Sequence, residues 1–134
     1  MSIDIRNTKY KIIKELGRGG SGRVILVKSE SDNKYYALKE IIIEGELKDK
    51  INDIQKEAEI LSKFNCKNIV KYHGSQQNKE KFYILMEYCN GLNLKDFIKE
   101  HSQNNTNIEE NIIYHIIKQI CLGIKEIHNK NIIH

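Results

Sequence analysis

No apolar run in this 134-residue sequence approaches the roughly 20 residues that a membrane-spanning helix needs, so no membrane partner is expected. The N-terminus, Met1-Ser2-Ile3-Asp4-Ile5-Arg6, has no apolar stretch of signal-peptide type. Cysteine is scarce. Cys66, Cys89 and Cys121 are odd in number and far apart, and they read as reduced thiols rather than a disulfide frame or a zinc site. An intracellular, cytoplasmic setting is the expectation that follows. No basic block stands out either. The net charge is +4, but lysines alternate with acids throughout, so nucleic acid is not an expected partner. Proline is absent, and nothing functional is drawn from that. What remains is 40% hydrophobic and 30% charged, enough for one ordinary domain with a core.

Glycine is present where it matters. Leu16-Gly17-Arg18-Gly19-Gly20-Ser21-Gly22-Arg23-Val24 fits G-x-G-x-x-G, a loop whose main-chain N–H groups can approach phosphate. The pattern alone is shared by Rossmann folds, protein kinases and chance turns. Its flanks discriminate. Tyr10 to Leu16 mixes apolar and charged residues like a half-buried strand, and Val24-Ile25-Leu26-Val27 is rich in β-branched residues, which favour strands. The loop therefore joins strand to strand. A Rossmann loop opens a helix, and a Walker A loop ends in Gly-Lys-Ser/Thr, whereas Gly22 is followed by Arg23.

Residues 1–9 read as a loose leader, and 10–29 as the glycine hairpin. Lys34 to Ile43 reads as a third strand, interrupted by Lys39. Lys39 is either a surface lysine or one pointing under the hairpin toward phosphates. Asn52 to Leu61 is predicted helical, with Ile54, Ala58 and Leu61 at i, i+4 and i+7. Glu57 falls inside that stripe, where a carboxylate needs a cation, and Lys39 is the candidate. Strands are predicted over 69–74 and 82–88 around a polar loop at 75–81, which makes five strands in all. His73 reads as a structural strand residue, since no cluster of metal-binding side chains surrounds it. After Asn90-Gly91 the pattern turns helical. Asn93 can cap a first helix, and Thr106-Asn107-Ile108-Glu109 has capping-box form for a second. That second helix carries Ile113, Ile116, Ile117, Ile120, Ile124 and Ile127 on a stripe wide enough to expect surrounding structure.

Together these motifs resemble the eukaryotic protein kinase domain over residues 8–134. Ala37-Leu38-Lys39 is similar to the family's Ala-x-Lys, and Glu57 to the glutamate of its first large helix. Met86-Glu87-Tyr88-Cys89-Asn90-Gly91 resembles the gatekeeper and hinge, and Ile127 to His134 the run into His-Arg-Asp. The phrasing of 34–43 and 109–134 is closest to serine/threonine kinases of the NIMA-related (NEK) type.

The resemblance implies an α+β fold. Residues 10–88 would form a five-stranded antiparallel small lobe with one helix, and 89–134 the hinge and first helices of the helical large lobe. It implies ATP with Mg2+, and a protein hydroxyl as phosphoryl acceptor. Leu16, Gly17, Arg18, Gly19, Gly20, Ser21, Gly22 and Arg23 would cover the nucleotide, with Val24 and Ala37 against the adenine. Met86, Glu87 and Cys89 would line its edge, and Asn93 would stand near the ribose. Lys39 would hold the α- and β-phosphates and pair with Glu57 as the positioning pair. Two departures stand out. Ser21 replaces the aromatic that often tips the loop, which would shield phosphates from water less well. The catalytic aspartate and both metal ligands of the family lie beyond the last residue, His134, so no metal ligands are assigned. A fragment of a longer kinase, inactive alone, is the expectation. The alternative is a non-catalytic lobe that senses nucleotide or binds a partner.

Overall fold

The computed structural model describes residues 2–20, 22–43 and 51–133. Ser21 and His134, both drawn into the sequence reading, lie outside the described residues. Six strands form one antiparallel sheet: β1 Ser2–Ile5, β2 Thr8–Gly19, β3 Gly22–Ser29, β4 Tyr35–Ile42, β5 Tyr72–Gln77 and β6 Lys81–Glu87. Their order across the sheet is β1-β2-β3-β4-β6-β5. Helix α1, Ile51–Ser62, is inserted between β4 and β5. The described residues fall into two compact units, one from Met1–Asn65 and Val70–Cys89, the other from Cys66–Ile69 and Asn90–His134.

Within the first unit the sheet is sandwiched between two apolar clusters. Side chains alternate across a strand, so β4 and β6 feed both. One cluster gathers Ile5, Tyr10, Ile25, Val27, Leu38, Tyr83 and Leu85. The other joins Ile41, Phe82 and Ile84 to Ala58 of α1, with Ile51 and Ile54 packed alongside. The helical stripe expected at Ile54 and Ala58 is thus the face that meets the sheet.

Two strand predictions are corrected. Residues 2–5, expected within a loose leader, pair with β2 from Ser2 opposite Lys11 to Ile5 opposite Thr8. The reason is burial. Ile5 is almost fully enclosed in the first cluster, and four residues suffice for a strand when the partner strand is already in place. The Arg6 backbone N–H then donates to Gln76 Oε1 of β5 at 2.6 Å, which links the end of β1 to the other edge strand. β5 itself runs from Tyr72 rather than residue 69, and takes in Ser75, Gln76 and Gln77, expected in a polar loop. An edge strand needs only one partner and one buried face, so polar residues serve. We expect Ile5→Ala to lower unfolding free energy by about 2–4 kcal/mol, as for other buried Ile truncations. Urea denaturation measures it, and a loss under 1 kcal/mol would mean that β1 is not part of the cooperative unit.

In the second unit, α2, Leu94–Gln103, is capped as expected: Asn93 Oδ1 accepts from the Asp96 N–H at 2.8 Å. Helix α3, Glu110–Asn129, is not opened by a capping box. Its N-cap is Glu109, with no side-chain cap bond. Thr106 instead closes α2, its N–H and Oγ1 both donating to the His101 carbonyl at 2.9 and 3.3 Å. The segment 66–69 meets α3 at Gly123, where a Cβ would lie 3.0 Å from the Asn68 carbonyl oxygen, and Asn68 Nδ2 donates to Gln119 Oε1. The isoleucine stripe of α3 remains open in this chain: Ile113, Ile117, Ile120 and Ile124 are all exposed.

Candidate functional site

The hairpin β2–β3 is a strand pair through the glycines themselves. Gly17 stands opposite Val24, Arg18 opposite Arg23 and Gly19 opposite Gly22, so the paired strands run up to Gly19 and Gly22. The glycines do two different jobs. At Gly17, Gly19 and Gly20 a Cβ would meet nothing within 4 Å, so their missing side chains leave the backbone open to approach. Gly22 has φ +128°, and a Cβ there would lie 2.2 Å from the Glu40 carbonyl oxygen. Only glycine fits that position. Leu16 sits in a bulge just before the glycines and is exposed.

The register of β3, β4 and β6 assembles one face of the sheet. Val24 pairs with Lys39 and Lys39 with Ile84; Leu26 pairs with Ala37 and Ala37 with Met86. Val24, Ala37, Lys39 and Met86 therefore share a face. Ala37 is buried, while Val24 and Met86 are half-buried. Lys39 Nζ donates to Glu57 Oε1 of α1 at 3.0 Å. The pair joins residues from separate elements, as the carboxylate in the helical stripe suggested. Its setting differs from the expected inward one: the Lys39 side chain is 19% exposed, but that of Glu57 is 53% exposed. Glu57 precedes the buried Ala58 and so lies about 100° around the helix from it. Water screens such a pair, and its own contribution to stability is about 0–1 kcal/mol.

At the end of β6, the Glu87 N–H donates to the Lys71 carbonyl at 2.8 Å, and a carboxylate oxygen accepts from the Lys71 N–H at 3.2 Å. Cys89 follows, exposed and not disulfide-bonded. Asn93 belongs to the other unit, and its side chain is engaged in the α2 cap through both its oxygen and its amide nitrogen.

Arg18 and Arg23 turn out differently from the expectation that they cover a nucleotide. Strand alternation and register put their side chains on the face opposite Lys39. Arg18 is bidentate on Glu15, at 2.8 and 3.1 Å. Arg23 Nε donates to Glu40 Oε1 at 2.7 Å, and Lys81 Nζ donates to Glu40 Oε2 at 3.1 Å. Glu40 is the charged residue that the sequence reading missed. Its signal was there: counting by twos from Tyr36 and Leu38, position 40 falls on a core-facing side. Burial pushes its carboxyl up, but hydrogen bonds and charge from Arg23 and Lys81 together hold it below the usual carboxylate range. His73 packs edge-on against Tyr36 at 4.9 Å, which suits a structural residue. Burial first, and then Lys71, hold its imidazole below the usual value.

A hairpin that exposes its backbone through glycine, set beside a sheet face whose Lys39 is paired to a helix glutamate, defines a glycine-hairpin lobe built on an antiparallel sheet. The family model for the protein kinase domain matches residues 10–134. The chain belongs to the protein kinase domain family. It is 37% identical over 125 residues to mouse "Serine/threonine-protein kinase Nek3", covering 93% of this chain and 24% of that protein. It is 32% identical over 126 residues to mouse "Serine/threonine-protein kinase Nek1", covering 94% of this chain and 10% of the relative. Human "Serine/threonine-protein kinase Nek5" is 36% identical over 126 residues, covering 94% of this chain and 18% of that protein. The chain thus spans a quarter or less of these relatives' lengths.

Proposed function

We propose that this chain is the ATP-holding part of a Nek-type serine/threonine protein kinase, which transfers the γ-phosphate to protein hydroxyls. The observation that carries the reading is Lys39: an ammonium on the face shared by Val24, Ala37 and Met86, held at 3.0 Å by Glu57. In this reading Val24 and Ala37 take the adenine, and main-chain groups of Glu87 and Cys89 meet its edge. Lys39 neutralises the α- and β-phosphates, and the open backbone at Gly17, Gly19 and Gly20 lets N–H groups reach phosphate oxygens. Glu57 keeps the ammonium in place before the nucleotide arrives, so little reorganisation is needed. Mg2+ would come with the nucleotide and neutralise its phosphates. Among the described residues no three His, Cys, Asp or Glu side chains are grouped to hold a metal ion. The reading puts the protein inside the cell, where ATP is. The three unpaired cysteines support that setting, and among the described residues no helix is long and apolar enough to cross a membrane.

The test is calorimetric titration of the chain with Mg-ATP, followed by competition with adenosine. Saturable binding that adenosine competes away is expected. No saturable binding would overturn the proposal.

A further inference from the structure

The Arg23–Glu40–Lys81 cluster lies on the opposite side of the sheet from Lys39, so the nucleotide reading leaves it without a role. It nevertheless holds the most enclosed charge among the described residues, with the Glu40 side chain only 6% exposed. Burying a carboxylate is costly, and even a well-paired buried ion pair is often no more stabilising than apolar residues of the same size. Stability alone is therefore a poor account of Glu40.

Its contacts suggest a better one. Glu40 meets the third-glycine end of the hairpin twice. Its carboxylate holds the Arg23 guanidinium at 2.7 Å, and its carbonyl oxygen fills the space that a Cβ on Gly22 would need. On the far side Lys81 of the interior strand β6 fixes the same carboxylate at 3.1 Å. On the near side Glu15 bonds Arg18 at 2.8 Å and approaches Arg23 at 3.9 Å. Alternating charges thus run across β2, β3, β4 and β6, and end at the strand positions next to the hairpin tip. A cleft of about 420 Å3 is lined by Arg18, Gly19, Gly20, Arg23, Glu40 and Lys81. These links therefore border an open cleft beside the hairpin rather than fill a solid core.

We propose that Glu40 is a positioning residue for the glycine hairpin: through Arg23 it seats the hairpin from behind, and so sets how well the backbone at Gly17, Gly19 and Gly20 meets phosphate. The inference rests on the nucleotide reading above. Arg23 acts here from the face opposite the ligand, as a strut and not as a phosphate contact.

The discriminating readout is the ratio of ATP to adenosine affinity, measured by titration on the 134-residue chain. Adenosine lacks the phosphates that the hairpin would cover, so a merely structural loss weakens both ligands or only lowers Tm. Glu40→Gln keeps the side chain's shape and removes its charge. It is expected to lower ATP affinity about tenfold while adenosine affinity stays within about twofold. Arg23→Met should repeat that pattern, and Arg23→Lys should recover most of it. These two variants decide the matter if Glu40→Gln does not fold, because the Arg23 side chain is one-third exposed. An unchanged ratio in both Glu40→Gln and Arg23→Met would overturn the inference while leaving the nucleotide site standing. Tighter ATP binding by Glu40→Gln would also overturn it, by showing that the released guanidinium binds phosphate directly. A wild-type chain that binds neither ligand would overturn the site and the inference together.

Discussion

Gly22→Ala is expected to cost about 2–6 kcal/mol of unfolding free energy, the largest effect of a methyl added at any of the described glycines. Two penalties combine. The residue sits at φ +128°, where an L side chain costs roughly 1–3 kcal/mol. The new Cβ would also be 2.2 Å from the Glu40 carbonyl oxygen, a backbone atom within the sheet that cannot swing away. Relief requires β3 and β4 to separate, at roughly a further 1–3 kcal/mol. Gly19→Ala and Gly20→Ala make the informative contrast. Their Cβ atoms would meet nothing within 4 Å, so stability should stay within about 1 kcal/mol of the parent. Their nucleotide affinity should fall instead, because a methyl then covers backbone that the phosphates approach. Urea midpoints and ATP titrations on the three variants separate the two uses of glycine. A Gly22→Ala protein with the parent's midpoint would show that the hairpin does not rest on β4.

Lys39→Met is expected to weaken ATP binding on the order of 10–100-fold while leaving stability within about 1 kcal/mol. The first half follows from removing the ammonium that stands between Val24 and Ile84 on the face that carries Ala37 and Met86. The second follows from Glu57: with its side chain 53% exposed, the stranded carboxylate stays hydrated, so the heavy penalty of a buried orphan charge does not arise. Methionine keeps the stem's packing and removes the charge alone. Glu57→Gln acts only through Lys39 and should weaken ATP by a smaller factor, within about fivefold. Titration calorimetry gives the affinities, and thermal melting without nucleotide gives the stability. A Lys39→Met chain that binds ATP like the parent would remove the main support for the proposed function.

Much of the small lobe was legible because its signals are local. β-Branched runs at 24–27 and 34–43 marked strands on either side of a turn-rich segment, and β3 and β4 lie there. The strand directly after Gly22 distinguished a hairpin from the strand-to-helix loop of a dinucleotide fold. Lys39 and Glu57 were paired from a single argument, that a carboxylate in an apolar stripe needs a cation. The misses share a different cause. Ser2–Ile5 is too short to declare itself, and it is a strand because β2 offers an edge and a pocket for Ile5. Thr106 has the spacing of a helix start, yet its hydroxyl bonds backward to His101, because the chain there is still closing the preceding helix. The polar residues of β5 carry no strand signal, and they are held by pairing to β6.

The sequence by itself determined the family, the order of the helices and of the strands from β2 onward, and the residues proposed to meet phosphate. Each of these is written in spacing along the chain: glycines at 17, 19 and 22, a lysine within a β-branched run, and a glutamate on a helix. Tertiary structure alone decided how those residues are used. It set Gly22 against the Glu40 carbonyl while leaving Gly17, Gly19 and Gly20 open, turned Arg23 away from the lysine face, and buried Glu40 between two cations. It also left Glu57 half in water. The physical reason is that burial and charge pairing depend on strands and helices far apart in sequence, and no local pattern encodes which side of a sheet its neighbours will cover.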